Sequence, residues 1–415
     1  MIYKKIRQSI VILFAVALIF TFTSCGDKSN SGTEEETVLD GQQEQQEAQP
    51  KDQTDPQDNS PGVAAFLLDE YEKCVNDDDW DNFLELFSKD EREEVERLNA
   101  WYEGPHYLGR VSISDPIKID NDVALEQMWF LDGLAENHDA VETYLAEVDY
   151  SLPDIDEEKL AEGDYNWIGL PFDYPKSRYL AFIMVEDGDE WKIDSIQKPA
   201  VLSPLVEKGI LPYEETRDGE LNALDLQLFE EMFSGIVYSK DEEGLEKDLS
   251  EVNGFFRSFY SEPKEIDLEE FIRYFGIRSW LTENSDSEEL EEIGRLYKEK
   301  TGGDLADQLV FTPAVKYNKS DVDKVLMKYA DITSDDLDQG SFSDLLYSEK
   351  YEAFYNFTSD FGPGMFSPDE GYVDDGKYTF IEHNNYDREK GEYYDIQTVF
   401  KRVGDDYKIL SRMKG

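Results

Sequence analysis

The chain has 415 residues, and 95 Asp plus Glu against 40 Lys plus Arg give a formal net charge of -55 at neutral pH. That surface excludes nucleic acid as a partner, because phosphate binding needs clustered cations and a polyanion is repelled. A hydrophobic fraction of 40% with 13% aromatics excludes wholesale disorder, and the length predicts two globular units once flexible ends are set aside.

Lys4, Lys5 and Arg7 precede an apolar run from Ile10 to Phe22. The run is too short for a membrane span and suits the core of a signal peptide. It ends in Phe22-Thr23-Ser24-Cys25-Gly26. This junction resembles the lipobox of bacterial lipoproteins, although Phe22 stands where Leu is usual. The resemblance implies that residues 1–24 are a lipoprotein signal peptide and that Cys25 carries acyl chains such as palmitate as the new N-terminus. Cleavage would remove three cations, taking the charge from -55 to -58. Two acyl chains hold a protein stably where one is marginal, so the expected location is extracytoplasmic and membrane-anchored, at the cell surface or the periplasmic face. An ordinary signal peptide with Cys25 incidental is the competing reading.

With Cys25 acylated, only Cys74 remains, and no intramolecular disulfide is available. Cys74 falls on the helical stripe Val63, Leu67, Tyr71, Cys74, which predicts a buried, inert thiol. Residues 25–60, rich in Gln, Glu, Asp, Ser and Pro, read as a disordered acidic tether. Its flexible span is about 30 Å.

The first folded unit is expected over 61–200. Phe66, Leu67, Trp80, Phe83, Leu84 and Phe87 supply the buried faces of two or three short helices. The acids of Asn76-Asp77-Asp78-Asp79 favour a helix N-terminus over a metal site. Alternation then predicts strands at 111–113, 117–119 and 123–130, followed by an acidic loop with a short helix over 140–148. The unit closes with a hairpin, 179–185 and 191–196, around the turn Glu186-Asp187-Gly188-Asp189.

Helices followed by a meander give an α+β class in which helices cover one face of a curved antiparallel sheet. On the phrase from Asp79-Trp80-Asp81 to Phe87 and the closing EDGDEWKIDSI hairpin, residues 62–199 resemble the nuclear transport factor 2-like and SnoaL-like superfamily. The resemblance implies a cone. It fixes no activity, since that superfamily holds enzymes, carriers and structural modules.

Pro204, Gly209, Pro212 and Gly219 break regular structure in a connector over 201–220. The second unit, 221–415, is expected to be α+β as well. Its first half is helical at 224–236, 245–260, 268–277, 288–300 and 319–329, the last with Ser320 as N-cap, and its second half is β-rich from about 351. Its final hairpin echoes the first at an offset of 216: Gly188-Asp189 matches Gly404-Asp405, and Trp191-Lys192-Ile193 matches Tyr407-Lys408-Ile409. A common hairpin type and a duplication both account for the echo. On the SDVDKVLMKYADITSDD helix and the SDFGPG segment, residues 250–415 also resemble the C-terminal part of lipoproteins from Gram-positive anaerobes, a family that brings no known activity.

His106, His138 and His383 are the histidines, and the chain carries no HExxH, GxSxG, P-loop or CxxC motif. Asp335, Asp336, Asp338 and Gly340 lack the ligand spacing of a calcium loop. No catalytic residue, metal site or cofactor is therefore expected. Trp101, His106, Trp129 and Phe130 form the candidate pocket, by their place at the helix-to-sheet junction of a cone. The expected function is a non-enzymatic module binding an envelope protein or small ligand, with the membrane held through the lipid anchor and divalent cations held weakly and diffusely. The alternative is a lipid-anchored enzyme using the same pocket with carboxylate or histidine acid/base chemistry.

Overall fold

In the computed structural model, residues 65–77, 79–101, 110–128, 138, 140–151, 177–188, 190–199, 201–241, 244–281, 286–311, 314–337, 342–357, 366–387, 390 and 392–415 are described. The fold is α+β, with antiparallel sheets, one of them curled into a half-barrel. No helix among the described residues is long and apolar enough to cross a membrane.

Three helices come first among the described residues: α1 (Phe66–Asn76), α2 (Trp80–Glu85) and α3 (Lys89–Trp101). A sheet follows, made of β1 (Arg110–Ile113), β2 (Ile117–Ile119), β3 (Val141–Ser151), β4 (Arg178–Asp187) and β5 (Glu190–Gln197), with α4 (Asn121–Met128) between β2 and β3. The strand order is β1-β3-β4-β5, and β2 pairs with β3 in line with β1. One face carries Tyr144, Ala146, Phe182, Met184 and Ile193 against α1 and α2. The other carries Leu145, Ala181 and Ile183 against Leu202, Leu205 and Leu211, which lie in and after α5 (Ser203–Glu207).

Two expectations reverse here. Residues 140–148 form the central strand β3 rather than a helix, because the sheet is covered on both sides and consecutive Tyr144, Leu145 and Ala146 are all buried. Burial on both faces erases the polar alternation by which a strand is read. Residues 121–128 are a helix rather than a strand, started where the Asp120 carboxylate accepts from the Asp122 backbone N–H at 2.9 Å.

Beyond α5 come β6 (Gly219–Glu220), α6 (Ala223–Met232), and the hairpin of β7 (Ile236–Asp241) and β8 (Gly244–Leu249). The hairpin and a 3-10 turn at Asn253–Phe256 replace the helix expected over 245–260: the Glu- and Lys-rich stretch favours helix, but Ile236–Asp241 offers it a strand partner in full register. Next are α7 (Leu268–Arg273), β9 (Ser279–Leu281), α8 (Ser287–Thr301), α9 (Leu305–Phe311), β10 (Ala314–Asn318) and α10 (Lys319–Ala330). The cap position of α10 is Asn318 rather than Ser320. β11 (Leu345–Ser348) and β12 (Ala353–Asn356) complete a sheet ordered β11-β12-β10-β9. The last sheet, ordered β16-β15-β14-β13-β6, is built from β13 (Glu370–Asp374), β14 (Lys377–Asp387), β15 (Glu392–Val403) and β16 (Asp406–Lys414). Its inner face joins Tyr378, Phe380, Phe400 and Ile409 to Phe229 of α6 and Phe233 at its C-terminal cap in the largest core among the described residues.

The two closing hairpins share their register. Asp187 faces Glu190 and Val403 faces Asp406; each hairpin has a bulge one turn later, at Asp194 and at Leu410. Gly188 and Gly404 both take positive φ, +70° and +68°. The 216-residue echo thus extends to backbone irregularities.

Candidate functional site

Among the described residues, a concavity lies at the hairpin end of the first sheet, and α1 forms one wall. Leu67, Leu68, Tyr71, Cys74 and Val75 recur at three- and four-residue spacing and are buried. Phe66 falls off that stripe and is 53% exposed, contrary to its expected core role. Adjacent residues on a helix are 100° apart, so Leu67 facing inward turns Phe66 outward. The Asn76 amide clips α1 to the sheet, donating to the Val111 carbonyl at 2.8 Å and accepting from the Val111 N–H at 2.9 Å.

The second wall is α2. Asp79 caps it as expected, accepting from the Asn82 backbone N–H at 3.3 Å and the Asn82 side chain at 2.6 Å. Its C-terminal end is stitched to β5, where Ile193 N–H donates to the Leu86 carbonyl and Ser88 N–H to the Ile193 carbonyl, both at 2.8 Å. Lys192 Nζ reaches the Glu85 carbonyl at 2.7 Å and the Glu190 carboxylate at 3.0 Å.

Between these walls is a groove of about 570 Å³. Phe66, Leu67, Leu86 and Trp191 supply its apolar surface, and Cys74 lies at its base. Glu70, Asp77, Asp79, Glu85 and Glu190 stand against Lys73 and Lys192 around it, five acids to two lysines. Burial, then the nearby Asp79 and Glu70 carboxylates, push the Cys74 thiol up against the opposing pull of Lys73. A thiol kept protonated is a poor nucleophile. The volume lies in the range of small-molecule sites.

A second group lies off the groove. Asp194, the bulged residue of β5, accepts from the Ser88 hydroxyl at 3.1 Å. Burial, Asp194 and Glu94 together push the Glu91 carboxyl up to about 7. The bulge positions Asp194, and nothing in the sequence marks a bulge there.

Of the residues expected to form the pocket, Trp101 ends α3 and its side chain is not described. His106, Trp129, Phe130 and Cys25, the residue expected to be acylated, lie outside the described residues. His383 sits on β14 between Glu370 at 3.3 Å and Asp395 at 3.1 Å. Asp336 closes a capping box with Thr333, and Asp335 pairs with Lys319 at 3.1 Å. No group of three or more ligating side chains suited to a metal ion occurs among the described residues.

The polar face of α6 does work the sequence conceals. Gln227 accepts from the Tyr179 N–H at 2.6 Å and donates to the Tyr179 carbonyl at 3.0 Å, completing β4 beyond the point where β5 stops pairing. Glu230 binds buried Arg178 at 3.0 Å and also Lys198. Glu231 accepts from the Leu202 and Ser203 N–H groups at 2.6 and 3.0 Å. Read alone, these are the solvated residues of an amphipathic helix; tertiary placement makes them a junction. In comparisons with known proteins, no family model, no curated protein and no solved structure matches the chain.

Proposed function

We propose that the chain is a lipid-anchored lipoprotein of the cell envelope that binds a ligand or protein without catalysing a reaction. In this reading Cys25 carries the anchor, residues 25–60 are the tether, and residues 61–200 form a cone-like unit joined through 201–220 to a second α+β unit, 221–415. The observation that carries it is the groove between α1, α2 and the β4–β5 hairpin, where Phe66, Leu67, Leu86 and Trp191 supply an apolar surface inside an acidic rim and burial raises the Cys74 thiol. Such a surface suits reversible binding better than nucleophilic chemistry.

Two experiments test the reading. Metabolic labelling with palmitate should mark the wild-type chain and not Cys25→Ser; equal label on both overturns the anchor. Native mass spectrometry of the chain recovered from envelope extract should show a retained non-covalent partner that Phe66→Asp loses. Turnover of an extract component, abolished by Glu91→Gln, would instead establish the enzyme reading, since a carboxyl near 7 suits general acid/base chemistry.

A further inference from the structure

The matched hairpins allow the groove to be compared with its counterpart in the second unit. Trp191 faces Glu186 across the first hairpin, and Tyr407 faces Arg402 at the same register position of the second. Both aromatics lie on the core side, two residues before the fully buried Ile193 and Ile409. Tyr407, half-buried as Trp191 is, is flanked by rings of its own chain: Phe229 packs edge-on at 4.8 Å, Phe233 lies at 6.4 Å and Tyr378 at 5.3 Å. Trp191 instead borders open space beside Leu67, Leu86 and the exposed ring of Phe66. The second unit sets three rings of its own chain around this position, and in the first unit the same position borders the groove. What the groove lacks, judged by its counterpart, is an apolar body such as an aromatic ring.

Charge selects among apolar bodies. Of the two lysines at the groove, Lys192 is already held by Glu190 and the Glu85 carbonyl. Glu85 is paired with Arg92 at 2.6 Å, and Asp79 caps α2. Glu70 and Asp77 remain with Lys73 around the thiol end. An anion entering here meets repulsion, and a neutral molecule gains nothing from the rim. A cation gains both Coulomb attraction and the face of an aromatic ring.

We infer that the groove binds an organic cation with an apolar body, an arylalkyl or alkyl ammonium, its apolar part lying over Trp191 and Phe66 and its charge toward Glu70 and Asp77. The inference rests on the binding reading above and adds the chemical class of ligand.

The test is calorimetric titration of the whole chain carrying Cys25→Ser, so that no acyl chain competes, with 4-phenylbutylammonium, 4-phenylbutanol and 4-phenylbutyrate. The ammonium should bind saturably at one site, at least about fivefold more tightly than the alcohol, with no uptake of the carboxylate. Phe66→Ala and the double variant Glu70→Gln with Asp77→Asn should each weaken it about threefold to fivefold. These residues are exposed, and circular dichroism should show the fold intact. Equal affinity for ammonium and alcohol, linear unsaturable uptake, or unchanged affinity in both variants overturns the inference. If extract still supplies a partner that Phe66→Asp loses while the ammonium fails, the binding reading stands and only the ligand class falls.

Discussion

Two glutamates set opposite pH limits on stability. Burial raises the Glu230 carboxyl, but Lys198 and Arg178 outweigh it and hold the group at about 2. A depressed carboxyl contributes stability that is present above its ordinary value near 4.5 and is lost as pH falls toward 2. Glu91 is the reverse. Its carboxyl, raised to about 7, holds its proton more tightly in the folded chain, so stability is lost as pH rises from about 4.5 to 7. A stability maximum on the acid side of neutrality should result. Glu91→Gln should raise the melting temperature at pH 8 and leave it unchanged at pH 4.5, as differential scanning calorimetry can establish; equal effects at both would show that the carboxyl is not desolvated. The capping role of Asp79 was legible in sequence because it depends on neighbours three residues away. The partners of Glu230 and Glu91 were not, since Arg178 and Asp194 lie 52 and 103 positions distant.

Elements whose signals are local were the legible ones. The β4–β5 and β15–β16 hairpins announce themselves by turn residues and β-rich flanks. Helix α8 does so by its stripe and its left-handed Gly302 stop, at φ +76°. β3 and β8 were illegible because sheet partners overrode their helix-forming residues. Close approach of two elements is equally hidden: Gly276, between α7 and β9, runs against the end of β8, where an added Cβ would lie 2.2 Å from the Leu249 carbonyl oxygen and 2.4 Å from that of Ser250. Backbone cannot rotate away as a side chain can. Gly276→Ala should cost about 3 kcal/mol in urea unfolding, at the high end for overpacking. A loss under about 1 kcal/mol would mean that β8 shifts freely. For the groove, the helices forming its walls were foreseen, whereas the outward turn of Phe66 had to be read from the stripe it misses.

At the scale of the whole molecule, a charge of -55 makes carboxylates repel across the folded surface. Raising ionic strength from 0.01 to 0.1 M shortens the screening length from about 30 to about 10 Å. The melting temperature should therefore rise with NaCl, and at lower concentration with calcium, without a stoichiometric step in calorimetry. One or two tightly bound calcium ions would establish a dedicated site instead. Composition places a break at 201–220, but the buried faces run across it: Leu202, Leu205, Leu211 and Leu224 cover the outer face of the first sheet. A fragment of residues 61–200 should aggregate on expression, and one of 61–232 should stay soluble to a greater degree, as sedimentation can measure. Equal solubility would show that the outer face needs no cover.

Helix α6 has a mechanical consequence. Its Leu224 lies in the core of the first sheet, and its Phe229 with the capping Phe233 in that of the last, while Gln227, Glu230 and Glu231 grip the strand and turn beside it. A load drawing the first and last sheets apart meets these contacts side by side rather than in series, so they share the strain and must yield together. Rupture would be abrupt, with the helix departing on its aromatic side and leaving the first sheet bare.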